Sequence, residues 1–231
     1  MKESLMSASA AEEYRTEFIE GITPINPPEK PQRYYFSGEH DLLHILGSMQ
    51  LMDISPFHTI VWACFGCDCE VRNTVGKRFV RDIHAYHTKT ARNIVKACRG
   101  TVLYANSDSV VASFADSLDG IITSETVLSE VLRFNQTVKT MSGGLCVKTA
   151  IFRDEYEGSR HRSLEHIILA AKELVERADP LEMSVSEDIV EENKNTEYFR
   201  KTLVPVSVEA MFLTPTGKYH PYAKLSLNRD N

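Results

Sequence analysis

The chain has 231 residues, 42% of them hydrophobic, which suffices for one well-buried domain with extensions. Its 26 Lys and Arg against 32 Asp and Glu leave a formal charge of −6, which excludes the broad electrostatic footprint of a general nucleic-acid binder. Five cysteines form no scaffold-like spacing and no apolar run approaches the ~20 residues that cross a bilayer, so the expectation is a reduced, cytoplasmic protein without nucleic-acid or membrane partners.

Residues 1–38 read as a Pro-rich arm, with Pro24, Pro27, Pro28 and Pro31 close together. Leu42, Leu43, Ile45, Leu46, Met49 and Met52 recur at three- and four-residue steps, which predicts a leading helix over 39–52. His40 and His44 lie four apart on it, with no third metal ligand in reach of the pattern. Phe57–Phe65 is short, β-branched and aromatic and reads as a buried strand, after which 66–70 is expected to be a loop. Cys64, Cys67 and Cys69 cluster there, but no matching Cys/His group follows to complete a zinc site, and the string alone assigns them no redox role. A helical stripe runs from 76 to 98, and Arg99-Gly100 ends it, with glycine expected to take the left-handed position.

Two apolar runs, 101–105 and 110–114, flank Asn106-Ser107-Asp108-Ser109, a hairpin signature that puts Asp108 at the tip. A helix is expected over 117–134, a strand over 145–152, a polar turn over 153–162, a helix over 163–178 and a strand over 181–185. A capped helix start at Ser186 follows, then a closing antiparallel pair over 198–203 and 206–213. The order strand, helix, strand, strand, helix, strand is the ferredoxin-like βαββαβ plan of an α+β domain with its helices on one face, extended here by a C-terminal helix and strands. The domain is expected to span 39–213, with 214–231 a tail.

Three strings in this order resemble the catalytic domain of the class III nucleotidyl cyclases, the adenylate and guanylate cyclase family. Ser107–Phe114 is similar to its Gly-Asp-x-x-φ-Ala-x-Phe hairpin, Ile167–Leu174 to its Val-Asn-x-Ala-Ala-Arg-x-Leu helix, and Ala178–Ser186 to its Ala-x-Pro-Gly-x-φ-φ-φ-Ser segment, with Leu181 in the glycine's place. The resemblance implies two carboxylates holding two Mg2+ or Mn2+ ions that bridge a triphosphate, with the ribose hydroxyl attacking the α-phosphorus. Asp108 falls on the second carboxylate. Aligning Trp62 with the phenylalanine of the family's Phe-x-Asp string puts Cys64 on the first, a soft and poor ligand for magnesium. Asp68 is the nearest alternative carboxylate.

By the same resemblance the asparagine and arginine that hold the ribose and the transition state fall on Ile168 and Lys172. Lysine keeps the charge without the planar fork. The base-selecting pair falls on Tyr104, which offers stacking, and on His161. The implied reading is a catalytically impaired cyclase homology domain. It would serve as a dimerising regulatory or nucleotide-binding module in signalling, paired with a second copy or another cyclase-like chain. The alternatives are an active divergent cyclase using Asp68 and Asp108, and a pure protein-interaction module.

Overall fold

The computed structural model describes residues 34–36, 57–138, 144–155, 160–214, 217 and 219–228. The Pro-rich segment and the leading helix expected over 39–52, with His40 and His44, lie outside the described residues. In chain order the elements are β1 (Tyr34–Tyr35), β2 (Phe57–Asp68), α1 (Cys69–Val75), α2 (Lys77–Ala97), β3 (Thr101–Ala105), β4 (Ser109–Phe114) and α3 (Ser117–Thr137). There follow β5 (Leu145–Glu155), α4 (Arg160–Arg177), β6 (Met183–Ser186), α5 (Glu187–Asn193), α6 (Glu197–Thr202), β7 (Leu203–Leu213) and β8 (Tyr219–Leu227).

The sheet order is β3-β4-β2-β5-β6-β8-β7, with β1 pairing β2 beyond the end of β4. Its first four strands are the βαββαβ core, all antiparallel, as the element order predicts. Because side chains alternate along a strand, each face of β2 collects its own core. Val61, Ala63, Phe65 and Cys67 meet the stripes of α2 and α3, with Ile83, Ile94, Ile121 and Leu128 among them. Ile60, Trp62 and Cys64 face the other way, onto Ile167, Ile168, Ala171 and Leu174 of α4. The additional helix therefore closes the face that a bare ferredoxin-like sheet leaves open. Among the described residues no helix is long and apolar enough to cross a membrane.

Several local expectations change. The loop expected over 66–70 is strand and helix: β2 runs on to Asp68, paired on one side with Leu145 and Cys146 and on the other with Tyr34 and Tyr35. Asp68 then caps α1, its Oδ1 accepting from the Val71 N–H at 3.1 Å. At the end of α2 the left-handed residue is Arg99 (φ 61°), not Gly100. Arg99 N–H donates to the Lys96 carbonyl and Gly100 N–H to that of Val95, the paired bonds of a Schellman motif. Gly100 is needed for space instead, since a Cβ there would stand 2.3 Å from the Phe114 ring.

Residues 198–203, expected as a strand, fall mostly in α6, because Thr196 caps that helix by accepting from the Phe199 N–H. The partner of β7 is β8, which occupies half of the expected tail. The ladder of β7 shifts register between Pro205 and Ser207 and again between Ser207 and Ala210, and β3 shifts between Val102 and Tyr104. Ser186 stands at the N-cap of α5 without a capping side-chain bond. Leu181, in the glycine position of the resemblance, adopts a left-handed φ of 65° while packing against the α2/α3 core.

Candidate functional site

The site is built on the β3–β4 hairpin and the strand beside it. Asn106 makes the turn: its Oδ1 accepts from Asp108 N–H at 3.0 Å and Ser109 N–H at 2.7 Å, and its own N–H donates to the Ser109 carbonyl. These bonds fix the backbone that presents Asp108. The tip is sewn to β2 where Phe65 N–H donates to the Asp108 carbonyl at 2.8 Å. Asp108 is half-buried, and its Oδ1 accepts from the Ser109 hydroxyl at 3.4 Å.

Cys64 is the β2 residue opposite Ser109, and on its other side it stands opposite Lys148 of β5. Directly opposed residues of an antiparallel pair share a face, so Ser109, Cys64 and Lys148 form one row across three strands. The Cys64 thiol is 7% exposed; burial, and then the charge of Asp108, push its pKa up to about 12. At neutral pH it is a protonated thiol, and the thiolate is the form that binds metal. The Lys148 ammonium pulls weakly the other way. That ammonium lies 4.6 Å from the centre of the Phe36 ring, and the ring lies over Gly66, where a Cβ would come within 2.6 Å of it.

Asp68 does not join Asp108. It lies three residues beyond Phe65, the residue bonded to the hairpin tip, or about 10 Å along the strand. Its carboxylate is 6% exposed and engaged at the start of α1. Among the described residues no group of three or more His, Cys, Asp or Glu side chains is placed to hold a metal ion. The donor set does not fit a two-ion centre.

The other residues of the resemblance sit on the same face as Cys64. Ile168 of α4 is fully buried in the cluster that holds Trp62 and Cys64, and Tyr104 is half-buried against that cluster. Lys172, one helical turn beyond Ile168, donates to Glu176 Oε1 at 2.5 Å. His161 lies in the first turn of α4, and its side chain is outside the described residues.

Two residues escaped the sequence reading. Lys148 is a cation set between Val147 and Thr149 in a buried strand, and only the register shows that it flanks Cys64. His84 of α2 approaches the hairpin from the opposite face; burial lowers its pKa, while Asp108 and the Gly66 backbone partly offset that. A histidine on the apolar stripe of a helix was the available signal.

No protein-family model matches the chain, and no curated protein matches its sequence. Solved structures match its fold. An adenylate/guanylate cyclase/hydrolase from Silicibacter pomeroyi superposes with a TM-score of 0.54 at 9% identity, covering 76% of this chain and 98% of its own. The guanylate cyclase domain of RhGC from Catenaria anguillulae, solved with GTP, gives 0.50 at 8% identity, covering 75% and 98%. The adenylyl cyclase CyaB from P. aeruginosa gives 0.50 at 11% identity, covering 76% and 95%. The chain has the fold of the class III cyclase catalytic domains, at 8–11% sequence identity to these three.

Proposed function

We propose that this cyclase-fold chain is a catalytically impaired cyclase homology domain, a signalling module that binds a nucleoside triphosphate and pairs with a second copy or another cyclase-like chain. One observation carries the reading: a buried, protonated Cys64 thiol stands beside Asp108, where the resemblance calls for the carboxylate that completes a two-metal centre. Loss of a single group that stabilises developing charge typically costs about 10²–10³ in rate. Here Cys64, Ile168 and Lys172 all depart from the pattern, and Lys172 is engaged by Glu176. Tyr104, half-buried on β3 of the hairpin, carries the kind of ring that stacks on a base. The GTP complex of the Catenaria domain supports a nucleotide as the ligand class. Partners of the same fold suit a module that lacks a complete site of its own.

Incubation of the chain with each common nucleoside triphosphate and Mn2+, followed by mass spectrometry, tests the reading. Retained triphosphate without a cyclised product supports it. A cyclic nucleotide whose formation disappears in Asp108→Ala overturns it in favour of an active enzyme. Thermal stability unchanged by every nucleotide and metal overturns the ligand and assigns a pure protein-interaction module.

A further inference from the structure

The solvent face of α2 stands apart from the rest of the molecule in charge. In 21 residues it carries Lys77, Arg78, Arg81, Lys89, Arg92 and Lys96 against a single carboxylate, Asp82, in a chain whose formal charge is −6. All six cations are exposed, and none forms an ion pair among the described residues. By contrast Arg99, just past the helix, is held by Asp119 at 2.8 Å. At 100° per residue the six fall within an arc of about 120°, and from Lys77 to Lys96 they extend about 30 Å. The buried stripe of Val80, Ile83, His84, His87, Thr88, Ala91, Ile94 and Val95 adjoins the row and is fixed against the core, so the helix cannot turn the row away.

A helix needs no such row for its own stability. Like charges at three- and four-residue spacing repel, and Arg78, Arg81, Lys89, Arg92 and Lys96 include three such steps. Phe79 and Tyr86, 44% and 54% exposed, lie about 60–80° past one edge of the arc and stand outside the row. We infer that this face of α2 is a docking surface for an anionic lipid bilayer, with the six cations over the headgroups.

The shape selects that partner. The row is straight, convex and about 30 Å long, so a flat polyanion meets all six cations at once. A single nucleic-acid strand is tracked by a positive groove lined with stacking platforms, which a ridge does not provide. Compact protein epitopes are depleted in lysine, and half of this row is lysine. The absence of a membrane-crossing helix concerns insertion and is a separate matter from attachment at the surface. The inference stands on α2 alone and does not depend on a nucleotide site.

The test is co-sedimentation of the full chain with phosphatidylcholine vesicles, with and without phosphatidylserine, at low and high salt. The expected result is binding to the phosphatidylserine vesicles only, abolished by salt. Each cation near an anionic surface contributes about fivefold in partitioning, so the variant R81Q/K89Q/R92Q binds about a hundredfold more weakly. All three positions are exposed, and an unchanged melting curve confirms that the variant folds. No binding of the wild type to anionic vesicles, equal binding of the variant, or binding to neutral vesicles overturns the inference. So does tighter binding to a single-stranded or duplex oligonucleotide than to the vesicles, which assigns the row to nucleic acid.

Discussion

Replacing Cys64 by aspartate reinstates the carboxylate that the hairpin lacks, and the structure sets the size of the effect. In the wild type, ionising a thiol with a pKa of about 12 at neutral pH costs about 7 kcal/mol before any metal is bound. An ordinary thiol at 9.0 costs about 3 kcal/mol. Divalent ions are therefore expected to leave the wild-type melting temperature unchanged. In Cys64→Asp a buried carboxylate beside Asp108, offset only weakly by the Lys148 ammonium, causes a loss on the order of 3 kcal/mol without metal. At ~2–4 °C per kcal/mol for a chain of this size, the metal-free variant melts roughly 6–12 °C lower. Mn2+ at a hundred times its Kd returns about 2.7 kcal/mol, most of that loss. The assay is thermal unfolding across a Mn2+ titration for the wild type, Cys64→Asp and Cys64→Asp/Asp108→Ala. A wild type that gains as much stability from Mn2+ as the single variant refutes the reasoning, as does a single variant indifferent to Mn2+.

Three further outcomes are expected. His87 is 1% exposed, and burial, followed by the fields of His84 and Arg133, lowers its pKa to about 4. The stability its neutral form confers is complete above pH 6.5 and falls as pH drops toward 4, by about 3 kcal/mol in all; His87→Phe removes that share of the acid dependence in urea titrations at neutral pH and near pH 4. Asn135 is buried, donates to the Leu145 carbonyl at 2.6 Å and accepts from the Leu145 N–H at 3.1 Å. Asn135→Leu removes both bonds and lowers unfolding free energy by about 2–4 kcal/mol; a change under ~0.5 kcal/mol contradicts that role. Gly100→Ala sets a methyl 2.3 Å from Phe114 and 2.9 Å from Val95, and denaturant midpoints are expected to reveal a loss of about 1–3 kcal/mol, although the backbone of Gly100 is not left-handed.

What the sequence made legible was whatever is encoded locally. The stripes of α2, α3 and α4 announce themselves by period, and Asn106-Ser107-Asp108-Ser109 announces its turn by the side chains that bond the backbone. Residues 66–68 read as a loop because Gly66, Cys67 and Asp68 have no strand propensity of their own; non-local pairing with Leu145 and Cys146 keeps them extended. The aromatic pair Tyr198-Phe199 suggested a strand, and the cap at Thr196 outweighed it. Pro221 and Gly217 disguised β8 as a tail, although Pro221 stands opposite Met211 of β7 and the residues after it, Tyr222 to Leu225, pair with β6. At the site, the position of Asp108 was readable and its surroundings were not, since the neighbours of Cys64 come from 45 and 84 residues downstream and only the ladder brings them together.

The interruptions in β3 and β7 fall on the two lateral strands of the sheet. Pro205 contributes no N–H to the outer strand, and the two register shifts beside it spoil the even spacing that an incoming backbone needs. Neither flank offers a template for fibrillar growth or for a swapped strand. Among the described residues, a second copy that meets the sheet at either of these edges finds side chains rather than an even backbone ladder to extend.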